Sequence, residues 1–337
     1  MTRLYRAEDL EHVDDELALL AMHDAFDDEE SGRTVLPKRI DTKTSHGFLR
    51  VMPAILGDMM GFKVMTLVEG VGTRYLVLLH AVSTGELLAI FDADELTRLR
   101  TAAVTALAAQ VIVRTPPASL AIIGTGFEAE AQLRAVARLW PKAELVCHSP
   151  TPEHRERFAR AMSNALGRSV GVAGSSAEAL RGRPVVLLAT KAKVPVIDGT
   201  DFAPGAAVLS IGATRLDLRE LDRATFARAG TVVGDDPTQL ETESGDIAEA
   251  LRDGALGRER IVSIARVRKE PSLLRTDAER DLVVLKTVGT ALQDLAIARA
   301  VHRGAAAGGL GEEIGDLARL KPFAAQKSTT PAGATRA

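Results

Sequence analysis

Leu120-Ala-Ile-Ile-Gly124-Thr125-Gly126-Phe127-Glu128-Ala129 is the stretch on which the reading of this chain turns. Four uncharged apolar residues read as a short buried strand. They run without a linker into G-x-G-x-x-A and then into a helical pattern over 127–139. In that context Gly124 permits a tight turn, Gly126 lets the backbone approach a pyrophosphate, and Ala129 lets the helix pack closely on the strand. Free N–H groups and the helix dipole favour an anion at the same place. The expectation is a dinucleotide site built on Gly124, Thr125, Gly126, Phe127, Glu128 and Ala129.

Downstream the strand-then-helix rhythm repeats. Strands are expected at Glu144 to Cys147, Val185 to Leu188, Ala207 to Ile211, Thr231 to Val233 and Leu282 to Leu285, with helices over 152–165 and 287–302. Such alternation predicts a parallel sheet covered by helices. Upstream, 97–114 is alanine-rich, free of Gly and Pro, and followed by Pro116-Pro117, which predicts one long helix. From Leu49 to Ile90 short apolar runs alternate with Gly57, Gly61, Gly70, Gly72 and Gly85, the pattern of an antiparallel sheet with turns. Residues 7–26 read as one amphipathic helix. The predicted class is therefore α/β: a Rossmann-type doubly wound parallel sheet over 116–299, joined to a mixed α+β domain over 1–115 to which about 300–322 returns. The last stretch, 323–337, has almost nothing to bury and is expected to be disordered.

Composition narrows the function. The 337 residues, 46% hydrophobic, can bury two cores, and a net charge of −3 leaves no basic surplus for nucleic acid or an anionic membrane. Cys147 is the single cysteine, and the seven histidines are scattered, so neither a disulfide nor a metal site is expected. Acids interrupt the N-terminal apolar residues, and no run approaches the roughly 20 apolar residues of a membrane span, so a cytoplasmic location is expected. The end of the second predicted strand, Val146-Cys147-His148-Ser149-Pro150-Thr151, lacks the acid that would accept bonds from an NAD ribose. Ser149 and Thr151 can bond a 2′-phosphate and His148 or Arg155 can supply charge. NADP(H) is therefore preferred, with NAD(H) possible.

Several blocks, in order, carry a resemblance. Pro37-Lys38-Arg39, Met52-Pro53-Ala54, Gly61-Phe62-Lys63, Arg100-Thr101-Ala102-Ala103, the Gly124 loop, Ile211-Gly212-Ala213, Arg219-Glu220-Leu221-Asp222, Glu243-Ser244-Gly245-Asp246 and Lys286-Thr287-Val288-Gly289 resemble the signatures of the ornithine cyclodeaminase and mu-crystallin family. The resemblance implies a first domain that forms a homodimer and binds a small amino or imino acid, and a second that holds the nicotinamide over the cleft. It implies that Arg39, Lys63 and Arg100 surround the substrate carboxylate and carry the catalysis. Arginine offers paired donors to a carboxylate and lysine a point charge. It also places Thr190, Ile211, Gly212, Lys286, Val288 and Gly289 around the cofactor, although ordinary strand ends would look the same.

Cyclodeaminases of this family place an aspartate two residues after the glycine that Gly212 matches, where it engages a side-chain amine. Thr214 stands there in this chain, which disfavours cyclodeamination and points to the ketimine-reducing branch. The expected reaction is NAD(P)H-dependent reduction of the C=N bond of an imino acid or cyclic ketimine. Asp217 or Asp222 could supply the missing acid from a shifted loop, with helix capping or solvent exposure as the alternative. His46 and His80 are isolated and read as structural. An alanine-type amino-acid dehydrogenase, an ornithine cyclodeaminase and a nucleotide-dependent binding protein remain as alternatives.

Overall fold

The computed structural model describes residues 1–11, 13–317 and 320–321. The first part runs β1 (Thr2–Tyr5), α1 (Ala7–Leu10), α2 (Asp15–Glu30), β2 (Thr34–Val35), β3 (Ile40–Thr44), β4 (Gly47–Leu56), β5 (Met59–Val68), β6 (Gly72–Ala81), β7 (Leu87–Asp92) and α3 (Asp94–Ile112). The second continues with β8 (Ser119–Ile123), α4 (Phe127–Leu139), β9 (Glu144–His148), α5 (Pro152–Leu166), β10 (Val170–Val172), α6 (Ser176–Leu180), β11 (Val185–Leu188), β12 (Ala207–Ser210) and α7 (Arg223–Arg228). It closes through β13 (Ala229–Gly234), α8 (Pro237–Glu243), α9 (Gly245–Arg252), β14 (Ile261–Ser263), α10 (Ile264–Lys269), β15 (Leu282–Lys286), α11 (Ala291–Gly308) and β16 (Glu312–Gly315).

Two sheets result. The second is wholly parallel in the order β10-β9-β8-β11-β12-β15-β13-β14, and β8, β11 and β12 are buried along their whole length, as strands covered on both faces must be. This is the doubly wound Rossmann-type arrangement, with β15, late in the chain, slotted between β12 and β13. The first sheet runs β16-β1-β7-β6-β5-β4-β2, with β3 also paired to β4. It is antiparallel except where β1 lies parallel to β7.

Helices α2, α3 and α11 join the two sheets. α11 packs on α2, α3 and β4 to β6, while α3 packs on α4. Small side chains make the second contact close: Ala102 and Ala106 of α3 meet Ala131 and Ala135 of α4 in a cluster of their own. Among the described residues no helix is long and apolar enough to cross a membrane.

Three boundaries differ from expectation, each for a local reason. The helix expected over 7–26 is two helices, because the Asp14 carboxylate accepts the Glu16 N–H at 3.0 Å and starts α2 afresh. The helix expected from 287 begins only at Ala291, since Gly289 sits at φ +81°, a conformation no helix accepts. α11 belongs to the first sheet from its first turn, so the chain returns there near 290 rather than 300. The stretch 323–337, read above as disordered, lies outside the described residues.

Candidate active site

The three cations named from the sequence come from three elements of the first part. Lys63 sits in the middle of β5. On that strand Met59, Gly61 and Lys63 face the interior, while Met60, Phe62 and Val64 face the other way. Lysine Nζ is therefore buried, 2.6 Å from Thr97 Oγ1 and 3.0 Å from Asp294 Oδ1, with the Tyr75 ring face 4.7 Å away. Burial pulls Lys63 from the ordinary lysine range down to about 8, helped by Arg100 and opposed by Asp294.

Arg100, on the first half of α3, places Nε 3.2 Å from the same Asp294 oxygen and donates from Nη1 to Gln293 Oε1 at 3.1 Å. Its guanidinium lies so close over Gly289 that a Cβ there would overlap it. Arg39, just before β3, approaches Gly289 from the other side. Its Nη2 donates to Gln239 Oε1 at 3.2 Å and reaches the Gly289 carbonyl at 3.5 Å, and it forms an ion pair with Glu243. Desolvation depresses Arg39 to about 10, with Arg50 adding to it, a value at which it stays a cation. Arg39 and Arg100 thus converge on Gly289, and Lys63 is tied to Arg100 through Asp294.

The turn that carries Gly289 is held from below. Asp235, at the end of β13, accepts the Val288 and Gly289 N–H groups at 3.2 and 2.7 Å and Gln293 Nε2 at 3.2 Å. Burial raises the Asp235 carboxyl against these three donors.

A second polar cluster lies under the loops after β11 and β12. Glu220, fully buried, accepts Thr190 N at 2.6 Å and Thr190 Oγ1 at 3.0 Å with one oxygen, and Ser210 Oγ at 2.7 Å and Gly212 N at 2.8 Å with the other. Asp246 accepts the Glu220 and Leu221 N–H groups at 2.8 and 3.1 Å and lies 2.9 Å from Lys286 Nζ. Lys286 also donates to Ser210 Oγ at 2.8 Å. The Glu243-Ser244-Gly245-Asp246 block therefore divides its work: Glu243 meets Arg39, Ser244 caps α9, and Asp246 ties Lys286 to the Glu220 loop.

The Gly124 loop fits a dinucleotide. Gly124 takes φ +113°, and a Cβ there would strike the Ala189 carbonyl. At Gly126 a Cβ would meet no protein atom, so the open side of the loop is left for a ligand. No side chain caps the start of α4, which leaves N–H groups of its first turn, Phe127, Glu128 and Ala129, for phosphate. Phe127 is exposed, with the Arg98 guanidinium 5.6 Å above its ring. Glu128 is half-buried, within electrostatic reach of Arg100, Lys191, Arg98 and Lys63. Burial raises its carboxyl, and Oε2 has no hydrogen-bond partner among the described residues.

At the far end of that crevice Thr151 starts α5 without its hydroxyl capping the helix. The Arg155 guanidinium folds back to donate to the Ser149 carbonyl at 3.1 Å.

Two residues named from the sequence have their side chains engaged by the protein. Lys286 has no exposed surface and its ammonium meets Asp246 and Ser210, which leaves its backbone alone for a cofactor. His148 is almost buried and its Nδ1 lies 3.0 Å from the Ala173 carbonyl, which makes that nitrogen a donor to the protein. Ile211 and Val288 are buried and could meet a ligand only through backbone, while Thr190, Gly212 and Gly289 form the loop ends.

Thr214 follows β12 on a partly open loop. No hydrogen bond or ion pair joins it to the three cations among the described residues. Asp217 is spent in an exposed pair with Arg215 at 2.7 Å, and Asp222 caps α7 through Thr225 N at 2.9 Å, the bland role for each. His46 and His80 lie at the surface of the first sheet, away from the cluster. Sequence reasoning missed Asp294, Asp235 and Gln293. Their one signal is position: Asp294 falls eight residues after Lys286 (294 − 286), one helical turn past the Gly289 break.

Comparison with known proteins matches this architecture. Residues 3–309 match the ornithine cyclodeaminase/mu-crystallin family. The ketimine reductase mu-crystallin of Rattus norvegicus is 32% identical over 280 residues, covering 80% of this chain and 83% of its own. A solved structure of Thermococcus litoralis Delta(1)-pyrroline-2-carboxylate reductase in complex with NADH and L-proline superposes with a TM-score of 0.85 at 26% identity, over 93% of this chain and 100% of its own. An archaeal alanine dehydrogenase dimer with bound NAD superposes with a TM-score of 0.85 at 25% identity, over 93% and 99%.

Proposed function

Because this chain belongs to the ornithine cyclodeaminase/mu-crystallin family, we propose that it reduces the C=N bond of an imino acid or cyclic ketimine to an amino acid with NAD(P)H. One observation carries the reading. Around Gly289 and Asp294 three cations, Arg39, Lys63 and Arg100, are gathered from separate parts of the chain, with Glu243 and Asp294 in direct ion pairs. The guanidinium N–H groups of Arg39 and Arg100 that these partners leave unused suit one added anion, the substrate carboxylate.

Arg39 and Arg100 present paired N–H donors and fix the carboxylate, and with it the adjacent C=N group. Lys63, whose ammonium gives up its proton near pH 8, protonates the substrate nitrogen and regains a proton from water in the cleft. Bound on the Gly124 loop, the nicotinamide supplies the hydride. The buried Glu220 and Asp235 hold the Thr190, Gly212 and Gly289 backbones in place. Thr214 gives a diamino acid's distal ammonium no carboxylate. The missing charge-assisted bond, worth about 1.5–3 kcal/mol, favours reduction over cyclodeamination.

The phosphate end favours NADP(H), with NAD(H) also accepted: Arg155 lies over the Ser149 carbonyl beside the uncapped Thr151, and the stretch His148-Ser149-Pro150-Thr151 carries no acid to repel a 2′-phosphate. The open face of the first sheet suits a second copy of the chain. Val51, Pro53 and Ile55 on β4, Met60, Phe62 and Val64 on β5, and Leu76 and Leu78 on β6 lie in register on it, partly exposed, a contiguous apolar surface of the kind that marks an interface.

The test is oxidation of NADPH and NADH against 1-pyrroline-2-carboxylate, 1-piperideine-2-carboxylate, and pyruvate with ammonia or methylamine. Ornithine with NAD serves as the cyclodeaminase control. Turnover of an imine that collapses in Arg39 and Arg100 variants supports the clamp. Silence on every imine, with proline and ammonia released from ornithine, refutes it.

A further inference from the structure

Lys63 and Arg100 come from a strand and a helix, and a third element supplies the carboxylate they share. Both point at one oxygen, Oδ1 of Asp294, on the first turn of α11, at 3.0 and 3.2 Å. Asp294 has no exposed surface, and its other oxygen, Oδ2, takes no hydrogen bond among the described residues. A carboxylate stripped of water is costly to keep, and among the described residues the two cations are its ion-pair partners.

We propose that Asp294 is the positioning residue of the reaction: it aims the Lys63 ammonium at the substrate nitrogen and couples that ammonium to the Arg100 half of the carboxylate clamp. The inference rests on the imine-reduction reading above.

Every group that faces Lys63 can be named. Asp294 comes from α11, Arg100 and Thr97 from α3, Glu128 from α4, and the Tyr75 ring from β6. Thr97 spends its own proton on the Ala93 carbonyl at 2.6 Å, so it accepts from Nζ and orients it without adding charge. Burial and Arg100 press Lys63 toward the neutral amine. Asp294 is the first of the opposing influences and Glu128 a smaller one. With Asp294 neutralised, Lys63 would lose its proton about 1–3 pH units lower.

In the reaction one Lys63 N–H bond breaks as an N–H bond to the substrate nitrogen forms. The C=N π pair takes the proton while the hydride's pair makes the new C–H bond. Lys63, left as a neutral amine, is reprotonated by water. Because Arg100 Nε stays on Asp294 and Nη1 gives one N–H to Gln293, Nη2 and the second Nη1 N–H are left for the carboxylate. The distance from clamp to proton donor is then set by one side chain.

The experiment uses the full-length enzyme with Asp294→Asn and Asp294→Glu. Lys63 is titrated by NMR of its isotope-labelled side chain, assigned with Lys63→Arg, and kcat/KM is followed against pH. Asp294→Asn is expected to lower the Lys63 titration by at least about one unit, to move the alkaline limb of kcat/KM down by the same amount, and to cut kcat/KM at pH 8 about tenfold, with cofactor affinity unchanged. Asp294→Glu keeps the charge but displaces it, so the limb stays and kcat falls.

An Asp294→Asn enzyme that merely melts earlier, with Lys63 and the limb unmoved, overturns the proposal. If that variant does not fold, the Glu variant decides: a retained limb with reduced kcat supports the proposal, and wild-type kcat or a displaced limb refutes it. Wild-type enzyme that reduces no imine sinks the functional reading instead, and the Lys63 titration still shows whether Asp294 governs it.

Discussion

Two lysines of this protein are buried to almost the same degree, and they do opposite things. Lys286 lies under the loops of the parallel sheet with two carboxylates, Asp246 at 2.9 Å and Glu220 at 3.6 Å, and a hydroxyl. Its cluster has no cation to spare, and its acids are spent on backbone N–H groups. Lys63 shares its one carboxylate with Arg100, next to an Arg39 that already has Glu243. Burial therefore does not by itself tell the two apart. Their partners do: the acids around Lys286 are spent on backbone N–H groups, whereas Asp294 keeps an oxygen, Oδ2, with no hydrogen-bond partner among the described residues.

That contrast can be broken most sharply at Lys63. Lys63→Met is expected to lower kcat/KM for an imino acid by about 10²–10⁴ while leaving thermal unfolding little changed, as read by steady-state kinetics beside calorimetry. Lys286→Met should do the reverse. It strands two buried carboxylates at a cost of about 3–5 kcal/mol, visible as a lower denaturation midpoint, and equal stability in the two variants would erase the distinction. Arg39→Gln should be milder. With Glu243 left in place, KM for the imino acid rises on the order of 10- to 100-fold, and kcat changes less.

The pH dependence sharpens the same comparison. Above about 8 the Lys63 ammonium is lost, so kcat/KM falls by on the order of tenfold per pH unit. Stability moves the other way. Folded Lys63 gives up its proton near 8 whereas the unfolded side chain holds it to 10.5, so between those values the unfolded chain binds more protons and this group makes the fold more stable as pH rises. Urea titrations at pH 8 and 10 would read that sign once compared with Lys63→Met. The smallest expected effect is at the other end of the crevice: Arg155→Ala should raise KM for NADPH about tenfold and leave KM for NADH nearly unchanged.

Much of this was legible in the chain because its signals are local. The apolar run into Gly124, the gap of Gly and Pro from 97 to 114 and the repeated strands named the parallel sheet and the long helix within a residue or three. Lys63 is harder. Between Phe62 and Val64 on a half-buried strand, hydropathy alone would put the two apolar side chains inside and the lysine in water. The structure does the opposite, leaving Phe62 and Val64 on the open face. The bond from His148 Nδ1 to the Ala173 carbonyl is equally invisible in the sequence, because Ala173 lies on a later segment of the chain.

By itself, then, the sequence determined most of the elements and the glycine turn between β8 and α4, because turn chemistry, strand period and a strand-to-glycine junction act over a few neighbours. Only the tertiary structure decided which lysine is poised and which is sealed. Lys63 finds Asp294 across 231 residues of chain, and the pair exists only because α11 crosses back from the second sheet to lie against β5. Electrostatic work depends on what surrounds a charge in space, and no local pattern of residues encodes that.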